Sequence, residues 1–277
     1  MAEITVACLQ MESTVGEPQV NIATAVRLAR EAAANGAHLL ILPELCTSGY
    51  VLASRDEARA LAEPIPDGPA STAFVELCVE TGCYLVAGIA EQAGDALYNT
   101  AALFGPEGLY ARYRKLHLWD TENLFFEPGD GGITVCTTPL GRIGMAICYD
   151  AWFPEMFRGC AARGADLVAM PVNWVLGPAD SEDAHPIGVT LAIASATCNG
   201  MAIAMAGRVG TERGTRFLGS SAIIGAQGRP LAPIAGEDDQ HIVHAEIDLA
   251  TIRGGRNWSP YNHLLHDRRP EIYGPLP

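Results

Sequence analysis

The apolar runs of this chain do not alternate with polar residues. ITVACLQ at 4–10 and HLLILPE at 38–44 are aliphatic or β-branched at almost every position. Between them, VNIATAVRLAREAAANG sets Ile22, Val26, Ala29 and Ala33 at helical spacing and stops at Asn35-Gly36. A strand with no polar face needs cover on both sides, so a sheet of such strands cannot face water. That requirement limits the chain to architectures with covering layers. The two runs and the helix between them read as a βαβ unit. Glu44 falls just past the carboxyl end of its second strand, the edge at which α/β folds bind ligands.

The same pattern continues along the chain. PASTAFVELCVETG (69–82) predicts a helix opened by Pro69, and YLVAGIAE and LYNTAALF predict strands. GPEG (105–108) turns the chain into LYARYRK, making residues 97–115 a hairpin whose second strand ends at Lys115, with a loop at 119–132. A second hairpin spans 133–150, with Cys148 at the far end of IGMAI. Pro154 then opens the helix PEMFRGCAARG, which Gly164 closes. DLVAMPVNW (166–174) reads as a strand and its exit, 185–200 as an Ala-rich helix, and MAIAMAG, FLGSSAIIGAQG and HIVHAEID as the last strands. No linker divides the sequence. The expectation is one domain over 1–277, with 253–277 as a packed C-terminal arm. Ten or more buried strands in one α/β unit predict two stacked sheets with helices outside, a four-layer α-β-β-α sandwich.

Charge and composition narrow the partners. The net charge is −14, which repels phosphate backbones and argues against nucleic acid. Its main reading is solubility, and a preference for cationic substrates is the lesser one. No run of 18 apolar residues offers a membrane helix. MAEITVACLQ has neither a basic start nor a cleavage pattern and reads as a first strand, not a signal peptide. Eight cysteines form no C-x-x-C pair and no zinc spacing, and several lie in apolar runs such as VACLQ and FVELCVE. They predict a reducing, cytoplasmic setting and no metal. G-x-G-x-x-G and Walker patterns are missing, so no nucleotide cofactor is expected.

One compositional fact singles out a residue. The chain has 17 arginines and one lysine, Lys115. Where a positive charge only faces solvent, this sequence uses Arg. A lysine kept at one place points to a need for a compact ammonium, which a planar guanidinium cannot replace. Glu44, at the end of a buried strand, is either a carboxyl raised by desolvation into a usable base or the buried partner of an arginine. Cys148 lies between a strand end and a helix N-terminus, where the helix dipole would favour the thiolate. The other reading is a structural cysteine like the remaining seven. Glu122 and Glu127, in WDTENLFFEPGD, compete as a second carboxylate for Lys115. His117 allows a Cys–His pair, though nothing else in the sequence follows that order. Asp183 and His185 lie close together, but no G-x-S-x-G elbow accompanies them.

Glu, Lys and Cys in this order, each just after a strand, resemble the nitrilase superfamily of carbon–nitrogen hydrolases. LPELCTSGY, YRKLHLWD and ICYDAWFPE are similar to its three catalytic motifs, and PGD, PVNW, RVGTE and DRRPEIY extend the likeness along the chain. The resemblance implies Glu44 as base, Lys115 as oxyanion stabiliser, Cys148 as nucleophile and Glu122 as the family's second glutamate. It also implies Tyr50, Tyr149, Asn173 and Trp174 near the pocket, and a homodimer or higher homo-oligomer with the helix after the cysteine motif in its interface. The implied activity is hydrolysis of a small non-peptide amide or N-carbamoyl C–N bond through a cysteine thioester, with release of ammonia and no cofactor. Tyr149-Asp150 follows the nucleophile as in amidases and carbamoyl hydrolases, where true nitrilases have Trp-Glu. Ala151 and Trp152 stand where D-amino-acid carbamoylases place arginine, which disfavours a substrate carboxylate. Cleavage of a nitrile is the alternative activity, and a non-catalytic binding protein on the same fold is the lesser one. LAIASATCNG keeps only Asn199 of a relative's R-A-x-E-N pattern, so altered local packing is expected there.

Overall fold

The computed structural model describes residues 3–177 and 185–273. Asp183 lies outside them. The first sheet has seven strands. β1 (Glu3–Glu12), β2 (Leu39–Ile41) and β3 (Tyr84–Ala93) run parallel, with α1 (Pro18–Ala34), α2 (Arg55–Leu61) and α3 (Pro69–Thr81) in the connections. β4 (Ala96–Gly105) and β5 (Gly108–Arg114) extend the sheet as an antiparallel meander. The chain then passes through the single turn α4 (Glu122–Phe125) into the second sheet.

That sheet has five strands. β6 (Val135–Thr138) pairs antiparallel with β7 (Gly141–Met145), and β7, β8 (Leu167–Pro171) and β9 (Ala202–Ala206) are parallel. α5 (Pro154–Ala162) and α6 (Ile187–Asn199) lie in the connections. β10 (Arg208–Val209) returns to the first sheet beside the end of β1. After the small hairpin β11 (Thr211–Glu212) and β12 (Thr215–Arg216), β13 (Ala222–Ile224) joins β9. β14 (His241–Asp248) crosses back and pairs antiparallel along β1, from Glu3 opposite Asp248 to Gln10 opposite His241. α7 (Leu249–Gly254) follows.

The period-2 geometry of strands sorts the first sheet's side chains into two cores. Ile4, Val6, Cys8, Leu39, Ile41 and Val86 face the second sheet and join Ile143, Met145, Leu167 and Ala169. Ala7, Leu9, Met11, Leu40, Leu85 and Ala87 face the other way, onto Leu28 and Ala29 of α1 and Phe74 and Leu77 of α3. Phe157 and Cys160 of α5 and Ala192 and Ala196 of α6 belong to the core that includes the second sheet. The layers are therefore α, β, β and α, as the buried strands require.

Several boundaries differ from expectation. The ladder at 38–44 stops at Ile41, because Pro43 has no N–H with which to continue it. The run at 217–228 holds only the short β13, since Gly219 and Ser220 adopt positive φ. In the tail, Arg253 grips Asp166 with two bonds of 2.8 Å and Arg256 donates to the carbonyl of Ala165. Tyr261, by contrast, is 92% exposed.

Candidate active site

Glu44 sits in the corner after β2. Gly88 of β3 clamps both sides of that corner, since its N–H donates to Pro43 O and its carbonyl accepts from Cys46 N. A Cβ on Gly88 would lie 2.5 Å from the Glu44 Cα, so only glycine lets the corner approach the strand. Lys115 follows β5 and is anchored by its own N–H on Asn99 O at 2.8 Å. Its carbonyl accepts from Gly129, where the PGD turn passes. A four-residue turn, α4, begins at Glu122 and points that carboxylate back at the lysine.

These side chains form one buried cluster. Lys115 Nζ lies 2.6 Å from Glu44 Oε1 and 2.8 Å from each oxygen of Glu122. Asn99 Nδ2 donates to Glu44 Oε1 at 2.7 Å, and the Trp119 N–H donates to Glu122 at 3.1 Å. Glu44 and Lys115 are each 1% exposed. Glu44 Oε2 is buried without a hydrogen-bond partner among the described residues. Burial raises the Glu44 carboxyl, Lys115 opposes that rise and Glu122 adds to it, leaving it at about 7. Burial works against the Lys115 ammonium, but Glu122, Glu44 and Cys148 outweigh it, and the net direction is up. The lysine stays charged while the carboxyl beside it is poised near neutrality.

Cys148 opens a short 3-10 turn, Cys148–Trp152, three residues after the end of β7. Its φ is +40°, a conformation that L-residues adopt only under constraint. Sγ lies 3.9 Å from Asn173 O, and Asn173 Nδ2 donates to Glu44 O at 2.8 Å, so the cysteine and glutamate corners share one residue. The expectation that a helix N-terminus favours the resting thiolate is corrected here. α5 begins only at Pro154, and burial, with Glu44 adding, holds the thiol well above its ordinary value against the pull of Lys115. The resting group is a thiol beside a carboxyl that can take its proton.

The structure also sorts the competitors. Glu127 is occupied elsewhere, accepting from Arg55 at 2.6 Å and from Leu97 N at 2.7 Å, and its carboxyl is lowered. His117 turns its Nδ1 to Asp150 at 2.7 Å and stacks on Phe153. Tyr50 is brought to the cluster, where burial and the carboxylates of Glu122 and Glu44 hold its hydroxyl up. Its ring meets Phe217 edge-on at 5.9 Å. Tyr149 and Trp174 are joined by Trp119 and Trp152 in an aromatic wall with centroid spacings of 4.8–6.4 Å. Asn99 is the site residue that sequence reading missed. A polar Asn-Thr pair inside the apolar strand LYNTAALF was its signal. At the departure from R-A-x-E-N, the Asn199 amide donates within its own helix, to Ser195 O, and Arg158 bridges α5 to α6 through Cys198 O. Among the described residues, no group of three or more His, Cys, Asp or Glu side chains is placed to hold a metal.

A strand-end thiol, a buried carboxyl and a fixed ammonium define a class of cysteine hydrolase. Comparison with known proteins gives the family. The carbon-nitrogen hydrolase model matches residues 5–257. A protein named nitrilase from Pyrococcus abyssi (strain GE5 / Orsay) is 40% identical over 98% of this chain and 99% of its own. An N-carbamoylputrescine amidase from Solanum lycopersicum is 33% identical over 98% of this chain and 93% of its own. A structure of a variant amidase from Nesterenkonia sp. AN1 shows covalent addition of the acetamide moiety of fluoroacetamide at the active site cysteine. It superposes with a TM-score of 0.79 at 27% identity, covering 98% of this chain and 95% of that one. The chain belongs to the carbon-nitrogen hydrolase family of the nitrilase superfamily, and it is an enzyme that hydrolyses carbon–nitrogen amide bonds.

Proposed function

We propose that the enzyme hydrolyses N-carbamoyl amines and short aliphatic amides, with Cys148 as nucleophile, Glu44 as general base and Lys115 as oxyanion partner. The observation that carries this reading is the buried Lys115 ammonium held between Glu44 and Glu122, with the Cys148 turn tied to the Glu44 corner through Asn173. Glu44 takes the thiol proton as sulfur attacks the carbonyl carbon. Lys115 and the backbone N–H of Tyr149 stabilise the oxyanion, an effect worth about 3 kcal/mol per donor. Collapse of the tetrahedral intermediate breaks the C–N bond, and Glu44 returns the proton to the departing amine, commonly ammonia. Water activated by Glu44 then hydrolyses the thioester. Glu122 orients Lys115, and Tyr50, Tyr149, Asn173 and Trp174 line the approach. No resident metal or cofactor enters these steps.

The end of the substrate away from the reacting carbon meets rings. Ala151 and Trp152 supply no cation for a carboxylate, and Trp152 is 39% exposed beside Tyr149, Trp119 and Trp174. An aromatic wall favours alkyl or cationic tails. The relative named N-carbamoylputrescine amidase supports the carbamoyl amine reading, and the relative named nitrilase keeps a nitrile as the second one. A binding protein without catalysis has no use for all three of Glu44, Lys115 and Cys148. The test is ammonia release from a panel of amides, carbamoyl amines, carbamoyl amino acids and nitriles, with Cys148→Ala and Glu44→Gln as controls. Activity retained by folded Cys148→Ala, or a nitrile outpacing every amide, would overturn the reading.

We further infer a single unit over 1–277, with 253–277 as an arm, working in a reducing, cytoplasmic setting. All eight cysteines are free, which supports that setting. A homodimer accounts for the exposed Trp258, Tyr261, Ile272 and Tyr273 of the arm.

A further inference from the structure

Asp150 is completely buried, and the mechanism above leaves it without a role. Its carboxylate gathers three segments. Oδ2 accepts from Ile147 N–H at 2.8 Å and from the Tyr113 hydroxyl at 2.7 Å, while Oδ1 lies 2.7 Å from His117 Nδ1. The Asp150 N–H also donates to Ile147 O at 2.9 Å. Asp150 therefore returns twice to the residue before Cys148 and closes a small ring around the turn that keeps Cys148 at φ +40°. An unfavourable backbone conformation persists only where its surroundings over-determine it. The Tyr113 hydroxyl in turn accepts from the N–H of Leu116 at 3.1 Å. Tyr113, Leu116 and His117 surround Lys115 in sequence. His117 also lies flat against Phe153, with ring centroids 3.6 Å apart, at the other end of the cysteine turn.

We propose that Asp150 is a positioning residue that locks the Lys115 corner, borne by the first sheet, to the Cys148 turn, borne by the second. The inference rests on the roles given above to Lys115 and Cys148. Without this tie, the ammonium and the sulfur are held by separate sheets, and the remaining link runs only indirectly, through Asn173 and the Glu44 corner. Placement errors of about 1 Å cost about 100-fold in rate. The chemistry of Asp150 predicts which substitutions the site tolerates. An asparagine oxygen can accept from Ile147 and Tyr113, and its amide can donate to Nδ1 of the other His117 tautomer. Alanine keeps none of these bonds.

The experiment compares Asp150→Ala, Asp150→Asn and Tyr113→Phe with the parent enzyme, and carries Cys148→Ala alongside. The readouts are kcat and KM by ammonia release, the rate of Cys148 alkylation by iodoacetamide, and folding by near-UV circular dichroism. Asp150→Ala should lower kcat by about 100-fold with KM within about threefold, and Asp150→Asn should recover about tenfold of that loss. Tyr113→Phe, which removes one hydroxyl, should lower kcat by about tenfold and slow alkylation in a fully folded protein. If Asp150→Ala does not fold, Tyr113→Phe decides. Parental kcat and alkylation in Tyr113→Phe would overturn the proposal, as would Asp150→Asn being folded and as impaired as Asp150→Ala, which would make charge and not placement the requirement. Turnover by Cys148→Ala would instead overturn the site assignment beneath it.

Discussion

At the scale of single residues, Lys115 and Glu44 make the sharpest claims. In a chain with 17 arginines, Lys115→Arg ought to be nearly silent if only charge mattered. The lysine is 1% exposed and touches three carboxylate oxygens within 2.8 Å, which leaves a guanidinium no room. A planar fork there would also bind Glu44 bidentately and lower its carboxyl, making a poorer base. We expect turnover to fall by about 100-fold or more with the fold intact by circular dichroism. Near-normal ammonia release would remove Lys115 from the chemistry. In the proposed mechanism Glu44 sets the pH dependence. Its carboxyl stands near 7, and only the ionised form can take the thiol proton. Activity should therefore be gained as pH rises through about 7 and lost below it. A kcat/KM profile whose acidic limb lies at an ordinary carboxylate value would show that burial does not govern this group.

At the scale of elements, the site depends on how closely the corner after β2 meets β3. Gly88→Ala places a methyl carbon against the backbone of Pro43, Glu44 and Leu45. We expect a stability loss of about 1–3 kcal/mol and a fall in turnover larger than that loss explains, because the displaced backbone carries Glu44. Thermal melting and ammonia release on one preparation separate the two effects, and normal turnover in Gly88→Ala would refute the coupling. Elements also show what was legible in sequence. Buried strands announced the layers, and Glu44, Lys115 and Cys148 each stood visibly past a strand end. α4 was unreadable, because four residues carry no periodicity, and so the family resemblance alone, not the local pattern, separated Glu122 from Glu127. α2 did leave a mark, the Ser54 cap three residues before Glu57, but its seven residues were too few for a clear apolar face. Asn99, Tyr113 and Asp150 stayed hidden as partners because the Asn99–Glu44 bond joins residues 55 positions apart and the Tyr113–Asp150 bond residues 37 apart.

At the scale of the whole molecule, the arm's exposed rings predict self-association. Sedimentation should give a dimer or larger, and polar substitutions at Trp258 and Tyr261 together should shift it toward monomer. A parent that sediments as a monomer at micromolar concentration would refute the homodimer. β1 emerges first from the ribosome, but the strand that pairs with Glu3–Gln10 ends only at Asp248. Until β14 is made, that flank of β1 is an unpaired apolar edge, which is a template for wrong pairing. The nascent chain therefore cannot finish its first sheet until β14 has been made. A chain ending at residue 240 should collect in the insoluble fraction even though it contains Glu44, Lys115 and Cys148.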